Sequence, residues 1–336
     1  MKIKDIAERA GVSTATVSNV INGNHHKVSK ATIDRVQKII AELGYNPSAT
    51  ARSLASRESR IIGVVVPHLH EDESFSLNPY MSQIIGTLEA YVRKQGYYLM
   101  IRGVREFSEV VPVFSGWNID GAILLGTVPS DVPNLENQIH TPIVYLDNYT
   151  REQEIANVGI DDYKGGRLSA NYLLEKGHRK IAMATPFLGP GAMEQRLLGF
   201  RDALQEWGIP LEREQIFECS TASDEGAKLG RQIARSQQGF TAVGVMSDII
   251  AVGIMEGIRL EGKRVPEDIS VVGFDNLMAC RYAHPGLTTI SQNIEEKANV
   301  AAECLFDMIR RKEKTAVHKV LDVELVERQS VKDLTK

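Results

Sequence analysis

From residue 61 onward the chain alternates short β-branched apolar runs with segments of helix length, which limits it to an α/β architecture on parallel sheets. The run Ile61-Ile62-Gly63-Val64-Val65-Val66 has no polar face, as a strand covered on both sides requires. A helix is expected at 80–94, a strand at 97–101, a shorter and weaker helix before the strand 121–125, and a strand at 143–146. The rhythm then repeats, with helices at 166–175, 193–207, 225–234 and 250–260 and strands at 180–184, 215–218, 242–246 and 270–274. Two successive α/β units imply two parallel sheets with helices on both faces, and 336 residues suit two or three domains. Ligands of such sheets bind beyond the carboxyl ends of the strands, so a cleft is expected between the two units.

The first 45 residues have another texture. Asp5-Ile6-Ala7-Glu8-Arg9-Ala10 forms a short helix stopped at Gly11-Val12, and Ser13 caps a second helix whose apolar side is Val17, Val20 and Ile21. At 100° per residue, Thr14, Ala15, Ser18, Asn19 and Asn22 fall within an arc of roughly 140° on the other side. Short hydroxyls, a methyl and two carboxamides add little to a core but can approach base edges closely and hydrogen-bond to them. Helix, glycine turn, small-residue helix is the helix-turn-helix pattern, and the rival reading is a helical hairpin whose polar face meets only water. A third helix capped by Ser29 and stopped by Gly44 completes a core of Ile6, Val12, Val17, Val20, Ile33, Val36 and Ile40.

Charge supports DNA over water for that face. Residues 1–60 hold ten Lys and Arg against five Asp and Glu, so the remainder carries −9 of a total of −4. A basic end on an acidic body suits contact with phosphate at one end only. Cys219, Cys280 and Cys304 are odd in number and lack metal-ligand or C-x-x-C spacing, as expected of core thiols in a reducing compartment. The N-terminus lacks the apolar run of a signal peptide and no stretch has the length of a membrane span, so a cytoplasmic protein without membrane contact is expected.

Residues 2–58 resemble the headpiece and hinge of LacI/GalR-family transcription regulators. The matching motifs are Ile3-Lys4-Asp5-Ile6-Ala7, Ala10-Gly11-Val12-Ser13, Thr16-Val17-Ser18, Val20-Ile21-Asn22, Leu43-Gly44-Tyr45-Asn46-Pro47 and Ala51-Arg52-Ser53-Leu54. The body resembles the family's effector-binding region, itself similar to periplasmic sugar-binding proteins. It does so through Asn78-Pro79-Tyr80, Val158-Gly159-Ile160-Asp161, Gly177-His178-Arg179-Lys180-Ile181-Ala182, Arg196-Leu197-Leu198-Gly199-Phe200, the run 265–275 and Leu287-Thr288-Thr289-Ile290.

The resemblance implies a headpiece at 1–46, a hinge helix and linker at 47–60, and an effector-binding and dimerisation domain at 61–336. The chain would cross between subdomains near 161, 291 and 320 and return to the first subdomain with a helix over 295–310. It implies DNA contacts from Thr14, Ala15, Thr16, Ser18, Asn19, Asn22 and Tyr45, with Leu54 wedged into the minor groove by a hinge helix too short to be stable alone. It also implies an effector site of Tyr80, Asp161, Arg196 and Asp275. Carboxylates and an arginine suit vicinal sugar hydroxyls, and an aromatic ring suits a sugar's C–H face. For Asp161 taken alone, a helix cap or surface ion pair is an equal alternative. Ser247 stands where family members often have asparagine, 68–77 is unusually acidic, and 105–118 is short, so ligand identity does not carry over from any relative.

The expected protein is a homodimeric repressor of carbohydrate-utilisation genes that binds a palindromic double-stranded operator and answers to a small-molecule effector, a sugar. A purine or a phosphoprotein acting as corepressor is the alternative within the family. The tail 331–336 lacks the leucine heptads of a further helical bundle, which favours a dimer. Outside the family, Asp161-Asp162 with His178 would be the acid–base candidates of an enzyme, but neighbours in sequence rarely converge. No phosphate-binding glycine loop, metal-ligand cluster or nucleophile elbow is present, so no cofactor is expected. A stand-alone sugar-binding protein is the remaining alternative for the body.

Overall fold

The structure is a computed structural model that describes residues 3–21, 23–45, 58–67, 78–150, 154–186, 188–221 and 224–336. Asn22, Leu54, the 47–54 hinge and the acidic 68–77 stretch lie outside the described residues. The chain divides into two units, Met1–Ser59 and Arg60–Lys336.

In the first unit, helices α1 (Ile3–Ala10), α2 (Thr14–Ile21) and α3 (Lys30–Leu43) enclose a small core of Ile6, Ala7, Ala10, Val17, Val20, Val36 and Ile39. The stripe of α3 is rotated from expectation: Ile39 is buried, and Ile33 and Ile40 are only partly covered. The turn between α1 and α2 needs Gly11, whose φ of 64° is costly for any residue with a Cβ. Ser29 Oγ accepts the Thr32 N–H at the start of α3, and Gly44, with φ of 60°, ends it.

The second unit begins with β1 (Ile61–Pro67), α4 (Pro79–Lys94), β2 (Tyr98–Val104), α5 (Val110–Trp117), β3 (Gly121–Leu125), α6 (Val132–Gln138), β4 (Ile143–Leu146) and β5 (Ala156–Ile160). It continues with α7 (Asp162–Glu175), β6 (Ile181–Thr185), α8 (Ala192–Glu206), β7 (Ile216–Glu218), α9 (Glu225–Arg235), β8 (Ala242–Val245), α10 (Asp248–Leu260) and β9 (Ser270–Asp275). Helix α11 (Ala279–Tyr282), β10 (Thr288–Ser291), α12 (Ile294–Arg311), β11 (Val317–Leu321) and β12 (Glu324–Val326) complete it.

Among the described residues these strands make two six-stranded sheets, ordered β11-β5-β4-β3-β1-β2 and β12-β10-β9-β8-β6-β7. The first is parallel throughout. The second departs from the expected all-parallel pattern at β12, which pairs antiparallel with β10. The cause is connection length. Only Asp322 and Val323 separate β11 from β12, so the chain enters the second sheet at the carboxyl end, where it left the first, and must run backwards.

The chain passes between the sheets three times: from β5 to α7, from β10 to α12 and from β11 to β12. Each passage lies at the carboxyl ends of the parallel strands. Central strands such as β3, β4 and β5 are buried along their whole length, while Asp147, Asp275 and the Gln292-Asn293 link stand at strand ends. Helix α12 packs on α4, β3, β4 and β5, so its first turns overlook the end of the first sheet.

Candidate functional site

Two surfaces carry the expected site residues. On α2, Ser13 Oγ accepts the Thr16 N–H at 3.1 Å and lies 2.9 Å from Thr16 Oγ1, so Thr16 belongs partly to the cap. Val17 and Val20 face the core, which leaves Thr14 and Ala15 exposed and Ser18 and Asn19 half-buried beside them. Tyr45 packs against the three-helix core just after Gly44. His25, His26 and Lys27 form an exposed 3-10 turn after α2.

In the body, a connected polar cluster joins the carboxyl ends of the two sheets. Arg196, on the first turns of α8 and 4 % exposed, donates from Nε to Asp162 Oδ1 at 2.6 Å and from Nη1 to the Met246 carbonyl at 2.9 Å. Its guanidinium lies 3.6 Å from the centre of the Phe274 ring, and Nη1 is 3.9 Å from Asp275 Oδ1. Asp275 Oδ1 accepts a short hydrogen bond from Gln292 Nε2, and Gln292 Oε1 accepts from Lys297 Nζ at 2.7 Å. Lys297, on α12 and fully buried, also donates to Asp147 Oδ2 at 2.7 Å and to the Tyr80 hydroxyl at 2.8 Å. The Tyr80 hydroxyl in turn donates to Asp147 Oδ2 at 3.1 Å. Asp147 Oδ1 is buried with no hydrogen-bond partner among the described residues.

Of the four expected effector residues, the structure brings together Tyr80, Arg196 and Asp275. Asp161 is placed apart: its Oδ1 accepts the Lys164 N–H at 2.8 Å and caps α7. The neighbouring Asp162, 1 % exposed, takes the place beside Arg196, and its Oδ2 accepts a short bond from the Tyr149 hydroxyl. One residue along a helix start rotates a side chain by about 100°, so adjacent carboxylates take different roles. Asp147, Tyr149, Gln292 and Lys297 are cluster members that pattern reading missed. Lys297 sits in a helix with no distinguishing motif, and Asp147 follows an ordinary strand. A carboxylate directly after the run Ile143-Val144-Tyr145-Leu146 was the available signal, since strand ends are where such folds place ligands.

Asp147 and Asp275 both have positive φ, 56° and 124°, an unfavourable conformation for a residue with a Cβ, and both are carboxylates at strand ends in the cluster. Behind them Asp248 is fully engaged, accepting from the Leu277 N–H at 2.8 Å, Thr289 Oγ1 at 2.6 Å and Cys280 Sγ at 2.9 Å. Ser247 is buried at the start of α10 without a side-chain capping bond.

Burial pushes the Asp275 carboxyl up to about 7, opposed by Arg196 and reinforced by Asp248. Burial likewise raises Asp162 and Asp248 and holds the Tyr80 hydroxyl protonated. Because the folded state holds the Asp275 proton more tightly than the unfolded chain, the associated stability is complete below about pH 4 and is lost as pH rises through about 7. The stability of the wild type relative to Asp275→Asn should therefore fall between pH 5 and pH 8 in urea titrations. A difference that is flat over this range contradicts the assignment.

Comparison with known proteins matches both units. A profile of bacterial regulatory proteins of the lacI family matches residues 2–48, and one of periplasmic binding protein-like domains matches residues 170–331. The chain is 33 % identical to the HTH-type transcriptional repressor PurR of Vibrio atlanticus (strain LGP32) over 338 residues, 99 % of each chain. It is 34 % identical to the ribose operon repressor of Haemophilus influenzae (strain ATCC 51907 / DSM 11121 / KW20 / Rd) over 337 residues, again 99 % of each. The structure of the lac repressor dimer bound to operator and the anti-inducer ONPF superposes with a TM-score of 0.87 at 26 % identity, covering 99 % of both chains.

Proposed function

Because the chain belongs to the lacI family of bacterial regulatory proteins, we propose that it is a dimeric repressor of carbohydrate-utilisation genes whose grip on a two-fold operator is set by a sugar in the body cleft. The observation that carries this reading is the coexistence, in one chain, of a small-residue recognition helix and a buried polar cluster drawn from the ends of both sheets. Thr14, Ala15, Ser18 and Asn19 read base edges, Thr16 and Tyr45 support that face, and Asn22 and the Leu54 hinge complete the DNA contact. Arg196, Asp275, Tyr80 and Asp147 hold the effector, and Asp161 acts on it indirectly by setting the start of α7.

A ligand that bridges two subdomains controls DNA affinity only through its unequal affinity for two body conformations, with coupling of about 1–3 kcal/mol typical. A sugar that favours the non-binding arrangement is an inducer. The protein catalyses nothing in this scheme and works where the chromosome is.

Selection of operator sequences with the wild type and with Asn19→Arg tests the DNA half. A carboxamide pairs with adenine and a guanidinium with guanine in the major groove, and such pairs discriminate by about 1–3 kcal/mol. One position per half-site should change preference, and an unchanged preferred sequence removes Asn19 from the readout. Operator titrations with and without a bound sugar test the effector half, and tighter operator binding with sugar makes it a corepressor instead.

A further inference from the structure

We propose that Lys297 is a positioning residue that fixes the ligand class of the cleft as neutral polyhydroxyl compounds, to the exclusion of their carboxylated counterparts. This rests on the reading of the cleft as the effector site. An ammonium group has three hydrogens and no acceptor, and those of Lys297 go to Tyr80, Asp147 and Gln292. None is left for a ligand. The consequence is polarity imposed on each partner. Gln292 must turn its oxygen to the lysine and its NH2 group to Asp275. The Tyr80 hydroxyl, accepting from the lysine, directs its own hydrogen to Asp147. Asp147 has Oδ2 occupied twice, and its Oδ1 is buried beside Gly159 of β5 with no hydrogen-bond partner among the described residues. The wall belonging to the first sheet therefore spends its cationic hydrogens within its own network and offers a ligand no charged donor.

Across the cleft Arg196 uses Nε and one hydrogen of Nη1 on Asp162 and Met246. Its remaining hydrogens suit an acceptor. Hydroxyl groups donate and accept, so a diol satisfies both walls, while a carboxylate satisfies only the second. Charge points the same way. Burial already raises the Asp162 and Asp275 carboxyls beside Arg196, and a ligand anion would bring a further negative charge into the same desolvated space.

The test is calorimetric binding of matched pairs, D-ribose with D-ribonate, D-glucose with D-glucuronate and D-galactose with D-galacturonate, to the full-length protein. The neutral member of a pair should bind at least about 100-fold more tightly than the acid. In Lys297→Met the neutral sugar should weaken by about tenfold or more and the ratio should collapse, because the lysine no longer imposes the orientation of the Gln292 amide and the Tyr80 hydroxyl. Lys297→Arg should restore part of the ratio. Removing the lysine alone strands a buried carboxylate, so Lys297→Met with Asp147→Asn provides a charge-balanced variant that folds yet lacks discrimination. An acid bound more tightly than its neutral counterpart, or a ratio unchanged in both Lys297→Met and the double variant, overturns the proposal. Binding that is indifferent to Arg196→Lys and Asp275→Asn overturns the cleft reading itself, which distinguishes the two failures.

Discussion

Arg196→Ala should destabilise the body by about 3–5 kcal/mol and abolish the response to effector. The guanidinium is buried together with Asp162 and close to Asp275, and it covers the Phe274 ring. Truncation strands two carboxylates in a desolvated site and opens a cavity over the ring, whereas exposed pairs such as Lys4–Glu8, at 3.9 Å, contribute almost nothing. Urea unfolding of Arg196→Ala, Asp162→Asn and the double variant closes a mutant cycle. The double variant should be more stable than the sum of the single losses implies, because each removes the other's unpaired charge. A loss below about 1 kcal/mol for Arg196→Ala would mean that water reaches the pair and that the cluster is not sealed.

The second large effect is expected from a single methylene-sized addition. A Cβ at Gly166 would fall 2.0 Å from the Arg196 carbonyl oxygen, and one at Gly199 would fall 2.0 Å from the Tyr163 carbonyl oxygen. Both neighbours are helix backbone and have no rotamer to change. Helices α7 and α8 would have to separate, and α7 carries Asp162 while α8 carries Arg196. Gly166→Ala and Gly199→Ala should each cost about 3 kcal/mol, at the upper end of overpacking, and weaken ligand binding through the stretched ion pair. Gly116→Ala, at a helical site where a Cβ meets nothing within 4 Å, should instead be neutral or gain about 0.5–1 kcal/mol. Equal thermal shifts for all three variants would show that the close approach of α7 and α8 is not enforced.

Much of the fold was legible because it rests on periodicity. Runs such as 61–66 and 121–125 are buried on both faces, so apolar continuity alone marks them, and the caps Ser29 and Gly44 act within a few residues of themselves. The edge strands were harder. β11 reads Val317-His318-Lys319-Val320-Leu321 with its middle exposed, and β12 has three residues. Their strand state comes from a neighbour's unpaired backbone rather than from their own side chains. The start of α7 at Asp162 is hidden for a related reason, since Asp162 and the glycines of its first turns carry no apolar stripe.

The sequence by itself determined the α/β class and the three-helix unit, because each follows from residue spacing within one element, and the family resemblance pointed to Tyr80, Arg196 and Asp275. Tertiary structure alone decided that Asp162 rather than Asp161 pairs with Arg196, that Asp147, Gln292 and Lys297 join the cluster, and that β12 runs antiparallel. Lys297 lies 150 residues from Asp147 and 217 from Tyr80. Hydrogen bonds over such separations depend on how the two sheets place their ends, and local patterning carries no information about that distance.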